Sequence, residues 1–175
     1  MPQKEIVPTT EYSETYYVMR EFNRLNYIYE KLDAGMVLYT LLKEYENPWD
    51  SYLEFCQDDF LAKVLIENSI QLERETNSGS YPIHLVFLFS NEENKKLIID
   101  KIKNLECCDI EGYKPIHYLC QDSEEETIEY LLNRNVDIKC KVIPTFKDTE
   151  KDLRYFLKKN DKVSKEFRQR IEKMF

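Results

Sequence analysis

Apolar positions set out a helical chain before any other signal is considered. Val18, Phe22, Leu25, Tyr29 and Leu32 recur at steps of four, three, four and three, which puts one stripe on a helix from about Ser13 to Leu32. Asp33-Ala34-Gly35 then reads as a turn. A second helix follows, with Val37, Leu38, Leu41, Leu42 and Tyr45 facing inward, and Asn47-Pro48 ends it because the residue before proline avoids the helical region. The stretch from Trp49 to Phe55 is again helix-like. Beyond it the pattern repeats with a period of 33: Val64-Leu65-Ile66, Leu97-Ile98-Ile99 and Tyr130-Leu131-Leu132 fall in register, as do Leu72, Leu105 and Ile138. After Lys141 the register is lost, since 33 past Pro115 lies Asp148. Leu153, Phe156 and Leu157 predict one further helix, and Val163, Phe167, Ile171 and Met174 a last one.

Polar punctuation falls in the same register. Gly79-Ser80-Tyr81-Pro82-Ile83-His84 and Gly112-Tyr113-Lys114-Pro115-Ile116-His117 are 33 residues apart, and they hold both histidines and two of the three glycines. Glycine admits the positive φ of a tight turn, and proline opens a helix where its missing N–H costs nothing. Ser90 with Glu93, and Ser123 with Glu126, predict capping boxes for a second helix in each copy. Asn135 predicts a left-handed stop. Ile102 stands at the corresponding place in the earlier copy, so that helix is expected to run on for another turn. A period of this length is the mark of a stacked helical array.

The Pro-aliphatic-His openings and the Val136-Asp137-Ile138 exit resemble ankyrin repeats. The resemblance covers 79–140 well and 49–78 in a degenerate form. It implies an all-α solenoid of ankyrin-like repeats over 47–141, a capping N-terminal segment over 1–46, and a basic helical cap over 142–175. It gives Gly79, Pro82, His84, Gly112, Pro115 and His117 a structural place in the repeat. It further implies partner contacts through the hairpin tips and the inner face of the first helices. The chain departs from the family where Tyr81 and Lys114 replace the opening Thr, whose hydroxyl helps hold the histidine ring. It departs again where Val86-Phe87 and Leu119-Cys120 replace a small pair.

Composition narrows the function. Hydrophobic residues make up 42% and charged ones 33%, which suits a folded chain. No apolar run reaches the length of a membrane span, and the first residues lack a signal-peptide pattern, so the protein is expected inside the cell, in the cytoplasm, with a cytoskeletal association in the alternative reading. The five cysteines, at 56, 107, 108, 120 and 140, have no framework spacing and are expected reduced and mostly buried. Residues 141–175 hold eleven Lys or Arg against six Asp or Glu, whereas 1–140 carry a surplus of thirteen negative charges, which disfavours nucleic acid as a partner. No phosphate loop, metal signature or nucleophile elbow is present, and no catalytic residue, metal or cofactor is assigned.

The expectation is therefore a non-enzymatic adapter or scaffold that binds a protein partner. Leu88-Phe89 are apolar where the later copy has Gln121-Asp122. Either they join Ile110, Glu111 and Tyr113 in a partner-binding face, or N-terminal helix residues cover them. The alternative function is a structural subunit of a cytoskeletal assembly, such as a microtubule-associated one, whose basic C-terminal helix meets an acidic filament surface.

Overall fold

The computed structural model describes residues 46–50, 59–142 and 150–175, all within one compact unit of the chain, 45–175. The helices expected over 13–32 and 37–45, the tyrosines at 12, 16 and 17, and Cys56 lie outside the described residues.

The described residues are mostly helical. A single 3₁₀ turn, Pro48–Asp50, precedes seven α-helices: α1 (Asp59–Glu67), α2 (Pro82–Phe89), α3 (Glu92–Lys101), α4 (Pro115–Asp122), α5 (Glu125–Leu132), α6 (Leu153–Lys159) and α7 (Lys165–Glu172). This agrees with the all-α expectation, and one small ribbon is added to the helices. Strands β1 (Lys141–Val142) and β2 (Lys151–Asp152) pair antiparallel, Lys141 with Asp152 and Val142 with Lys151. This ribbon returns the chain to the start of α6, where Asp152 caps the helix by accepting the Arg154 N–H at 3.0 Å.

The helices pack in two rows. α2, α4 and α6 form one row, and α1, α3 and α5 the other; α2 packs on α3, α4 on α5 and α6 on α7. Between the rows lie Leu61, Leu65, Ile83, Val86, Ile98, Ile99, Ile116, Leu119, Ile128 and Leu131, each no more than 3% exposed. Burying side chains of this size contributes about 1.5–3 kcal/mol each. Phe156, Leu157, Phe167 and Ile171 extend the core into α6 and α7, whereas Met174 lies just past α7 and is exposed.

Local chemistry sets the helix starts. Pro82 and Pro115 occupy the first helical position, as expected. The expected capping boxes do not form at α3 and α5, whose N-cap positions fall one residue later than expected. Ser90 and Ser123 end α2 and α4 rather than begin the next helices. Asn91 caps α3 through its own side chain, accepting the Asn94 N–H at 2.9 Å, and Glu124 stands at the start of α5 with no side-chain cap bond. Ser123 faces inward instead and accepts from the Lys95 ammonium at 3.0 Å.

The loops before α2 and α4 are copies. Thr76 N–H donates to Ser80 O at 2.7 Å and Gly79 N–H to Thr76 O at 2.9 Å; one period later Asp109 N–H donates to Tyr113 O at 3.0 Å and Gly112 N–H to Asp109 O at 2.9 Å. Gly79 and Gly112 have φ of +75° and +83°. The first loop is tied to the second by Ile110 N–H donating to Gly79 O at 2.9 Å. Asn135 takes the left-handed conformation expected of it, and Ser69, two periods earlier, does the same. Ile102 between them is extended and buried. α3 runs just two residues beyond the register position at which α5 stops, short of the extra turn expected.

Candidate functional site

Leu88 and Phe89 close α2 and are each 40% exposed. Ile110 is the most exposed large hydrophobic among the described residues, at 77%, and Glu111 beside it is exposed. An eight-residue helix rises about 10 Å, and the Gly79 loop bonded to Ile110 precedes α2. Leu88 and Phe89 therefore lie at one end of α2, with Ile110 and Glu111 near the other. Asp59 on α1 accepts the Asn91 N–H at 2.8 Å, which brings a carboxylate to the Phe89 end.

Tyr113 is not a free loop-tip side chain. It is half-buried, with its ring centroid 6.0 Å from His117, 5.7 Å from Tyr118 and 5.9 Å from Phe156. The contacts continue through Tyr118 to His84 at 5.4 Å and through Phe156 to His117 at 5.3 Å. The result is an aromatic column through α2, α4 and α6. Ring pairs at these separations add about 0.5–1.5 kcal/mol beyond burial, so Tyr113 belongs to packing between helix pairs.

Both histidines sit inside this column in matching roles. Tyr81 N–H donates to His84 Nδ1 at 3.1 Å, and Lys114 N–H donates to His117 Nδ1 at 2.9 Å. An Nδ1 that accepts leaves the proton on Nε2. His84 Nε2–H then meets Cys107 O at 3.3 Å, and His117 Nε2–H meets Cys140 Sγ at 3.5 Å. The imidazole thus caps its own helix and reaches the following loop without the threonine hydroxyl that the resemblance supplies. Burial is the main cause holding His84 down at about 4, and it lowers His117 too. Burial likewise pushes Cys107 up to about 12 and Cys140 up to about 11. A nucleophilic thiol–imidazole pair needs the reverse, a depressed thiol beside a protonated ring. Cys120, in the position that invited pairing with His117, is fully buried and its thiol is raised by burial. Of the four described cysteines, Cys107, Cys120 and Cys140 are buried and Cys108 is exposed, its Sγ 3.9 Å from Glu106 O.

Asp109 organises the second loop. Its Oδ1 accepts the Glu111 and Tyr113 N–H groups at 2.9 and 2.8 Å, and its Oδ2 accepts the Tyr118 hydroxyl. Burial and that carboxylate push the Tyr118 phenol well above its ordinary value.

The basic tail is partly committed to the body. Arg170 pairs with Glu129, and Lys162 lies 3.1 Å from Asp122. Asn160 donates to Ser123 O at 2.8 Å, and the Ser164 N–H to Glu125. Tyr155 is exposed on α6, its ring within 4.6 and 4.4 Å of the Lys151 and Lys159 ammonium groups.

One set of residues escaped the sequence reading. Lys63 pairs with Glu93 and Lys96 with Glu126, at 2.7 and 2.6 Å. Each lysine and each glutamate lies 33 residues from its counterpart, so the register carried the signal. Among the described residues there is no group of three or more His, Cys, Asp or Glu placed to hold a metal ion, and no helix is long and apolar enough to cross a membrane. Compared with known proteins, the chain matches no protein-family model and no curated protein.

Proposed function

We propose that this chain is a short, divergent ankyrin-like array acting as a non-enzymatic protein-interaction module, an adapter or scaffold with a cytoplasmic role. One observation carries the reading: the loop, proline and histidine hydrogen bonds recur at 33 residues, while the α2 copy keeps Leu88 and Phe89 exposed where the α4 copy carries exposed Gln121 and Asp122. A scaffold needs equivalent positions for its interior and distinct ones for its partner, and this pair is distinct. Exposed apolar side chains flanked by polar groups are the common core of a protein interface. The raised thiols and lowered histidines support a role without covalent catalysis.

A photo-crosslinking residue at 89 tests it. The expected result is one discrete adduct with a cellular protein, lost in a Leu88→Ser variant and not formed from position 121. Equal adducts from both positions would refute the assignment. The alternative, a filament-bound subunit using the basic tail, draws on Lys158, Lys165 and Lys173, which form no ion pair among the described residues, unlike Lys162 and Arg170. Co-sedimentation with microtubules at two salt concentrations separates the two readings.

A further inference from the structure

Among the described tyrosines, Tyr155 on α6 is exposed, whereas Tyr81, Tyr113, Tyr118 and Tyr130 are half-buried. Two ammonium groups converge on it. Lys159, one turn further along α6, donates to its hydroxyl at 2.7 Å, and Lys151 of β2 lies 4.6 Å from its ring centroid. Lys151 is only 9% exposed, yet it has no carboxylate partner among the described residues. The carboxylates beside it in the chain are held elsewhere, Glu150 by Lys141 and Asp152 by Arg154. Lys159 likewise forms no ion pair among the described residues. A buried charge that meets no opposite charge is costly. Here two positive charges share one neutral oxygen. The hydrogen bond from Lys159, with the charge of Lys151, holds that phenol below its ordinary value.

We infer that Tyr155 is a phosphorylation site, and that Lys151 and Lys159 receive the phosphoryl group. The phenol oxygen attacks the γ-phosphorus of a nucleoside triphosphate held by a protein kinase. The Oη–P bond forms as the bond from that phosphorus to the bridging oxygen breaks. The nucleoside diphosphate leaves with the electron pair, and the phenol proton passes to the kinase's base. The product carries a charge of about −1.5 to −2 and three strong acceptor oxygens, which matches two ammonium groups in sign and in hydrogen-bonding capacity. Because Lys151 belongs to β2 and Lys159 closes α6, the modified side chain ties the ribbon to the far end of the helix. The inference uses none of the residues of the partner-binding face, so it stands or falls apart from that face.

The test is incubation of the full native chain with ATP, Mg²⁺ and a broad-specificity tyrosine-kinase catalytic domain, with the sites followed by mass spectrometry. Tyr155 is expected to be labelled at least about tenfold faster than Tyr81, Tyr113, Tyr118 or Tyr130, because local opening must precede attack on a half-buried side chain. The label is then challenged with alkaline phosphatase. Lys159→Ala and Lys151→Gln are each expected to speed its release about fivefold, since charge-assisted hydrogen bonds to the phosphate are lost. Lys165→Ala, outside the pair, should leave the rate within about twofold. Lys159 is exposed, so its variant reads the contact without disturbing the core. Labelling of Tyr155 no faster than that of the half-buried tyrosines, or release at one rate from wild type and all three variants, would overturn the assignment.

Discussion

Gly79 and Gly112 share a positive φ but differ in what surrounds them. A Cβ built on Gly79 falls 2.8 Å from Ile110 Cβ, whereas one on Gly112 meets nothing closer than Val142 at 3.7 Å. Alanine at 112 therefore bears the backbone penalty alone, about 1 kcal/mol. Alanine at 79 must also push apart two hydrogen-bonded loops, and is expected to cost about 2–3 kcal/mol, read as the difference in urea midpoints. Shrinking Ile110 to alanine should not rescue it, because the clash is with Cβ itself. His84 gives a pH prediction of definite sign. Its folded value, about 4, lies below the ordinary 6.5, so the unfolded chain binds the extra proton first as pH falls. The stabilisation is whole above pH 6.5, shrinks between 6.5 and about 4, and amounts to on the order of 3 kcal/mol. Asp109, Tyr81, Tyr118, His117 and the Cys107 carbonyl and thiol are among the groups around the ring. A His84→Asn variant, which keeps an acceptor near Nδ1, should flatten that part of the pH–stability curve relative to wild type. An unchanged slope would show that the ring is not the titrating group.

At the scale of elements, one buried lysine joins the α2–α3 and α4–α5 pairs: its ion pair with Glu92 stays within α3, and its hydrogen bond to Ser123 crosses to the end of α4. The Lys95 side chain is 4% exposed, sits 2.7 Å from Glu92 Oε1 and also donates to Ser123, while Glu92 Oε2 is buried with no partner among the described residues. Removing the lysine leaves the carboxylate uncompensated, so Lys95→Ala is expected to cost about 3 kcal/mol or more. Lys95→Met with Glu92→Gln should recover most of that loss in the same denaturation assay. This contact shows where sequence reading ran out. Pro82, Pro115, Gly79, Gly112 and Asn135 were legible because each acts through its own backbone, within a turn of its position. The serine caps were misplaced by one residue because serine at 90 and 123 suits a helix end as well as a helix start, and both are buried at the helix end, Ser123 on the Lys95 ammonium. Tyr113 was misread because its partners, Tyr118 and Phe156, belong to the same and the next helix pair, and Phe156 lies outside the 33-residue register. Leu88 and Phe89 were legible as exceptions because the register supplied Gln121 and Asp122 for comparison.

For the unit as a whole, order of packing bears on how it unfolds. In stacked arrays stability is a sum of units and nearest-neighbour interfaces, and here α6 packs on α4 as α4 packs on α2. The sequence loses its period at 141, yet α6 and α7 still take the next place in the stack. Phe156 replaces register identity with contact, reaching His117 and Tyr113 across the α4–α6 interface. The ion-pair row continues there with its polarity reversed: Lys63 and Lys96 meet glutamates, while Glu129, the next position in that register, meets Arg170. Truncating Phe156 to alanine should thus weaken one interface and leave those before it intact. The expected loss is about 3 kcal/mol at that junction, which raises amide exchange in α6 and α7 roughly a hundredfold. Exchange in α2 and α3 should change far less, because the α2–α4 and α3–α5 contacts do not involve the mutated ring. A uniform rise across all helices would instead make 45–175 a single cooperative block, and the nearest-neighbour account of its stability would fail.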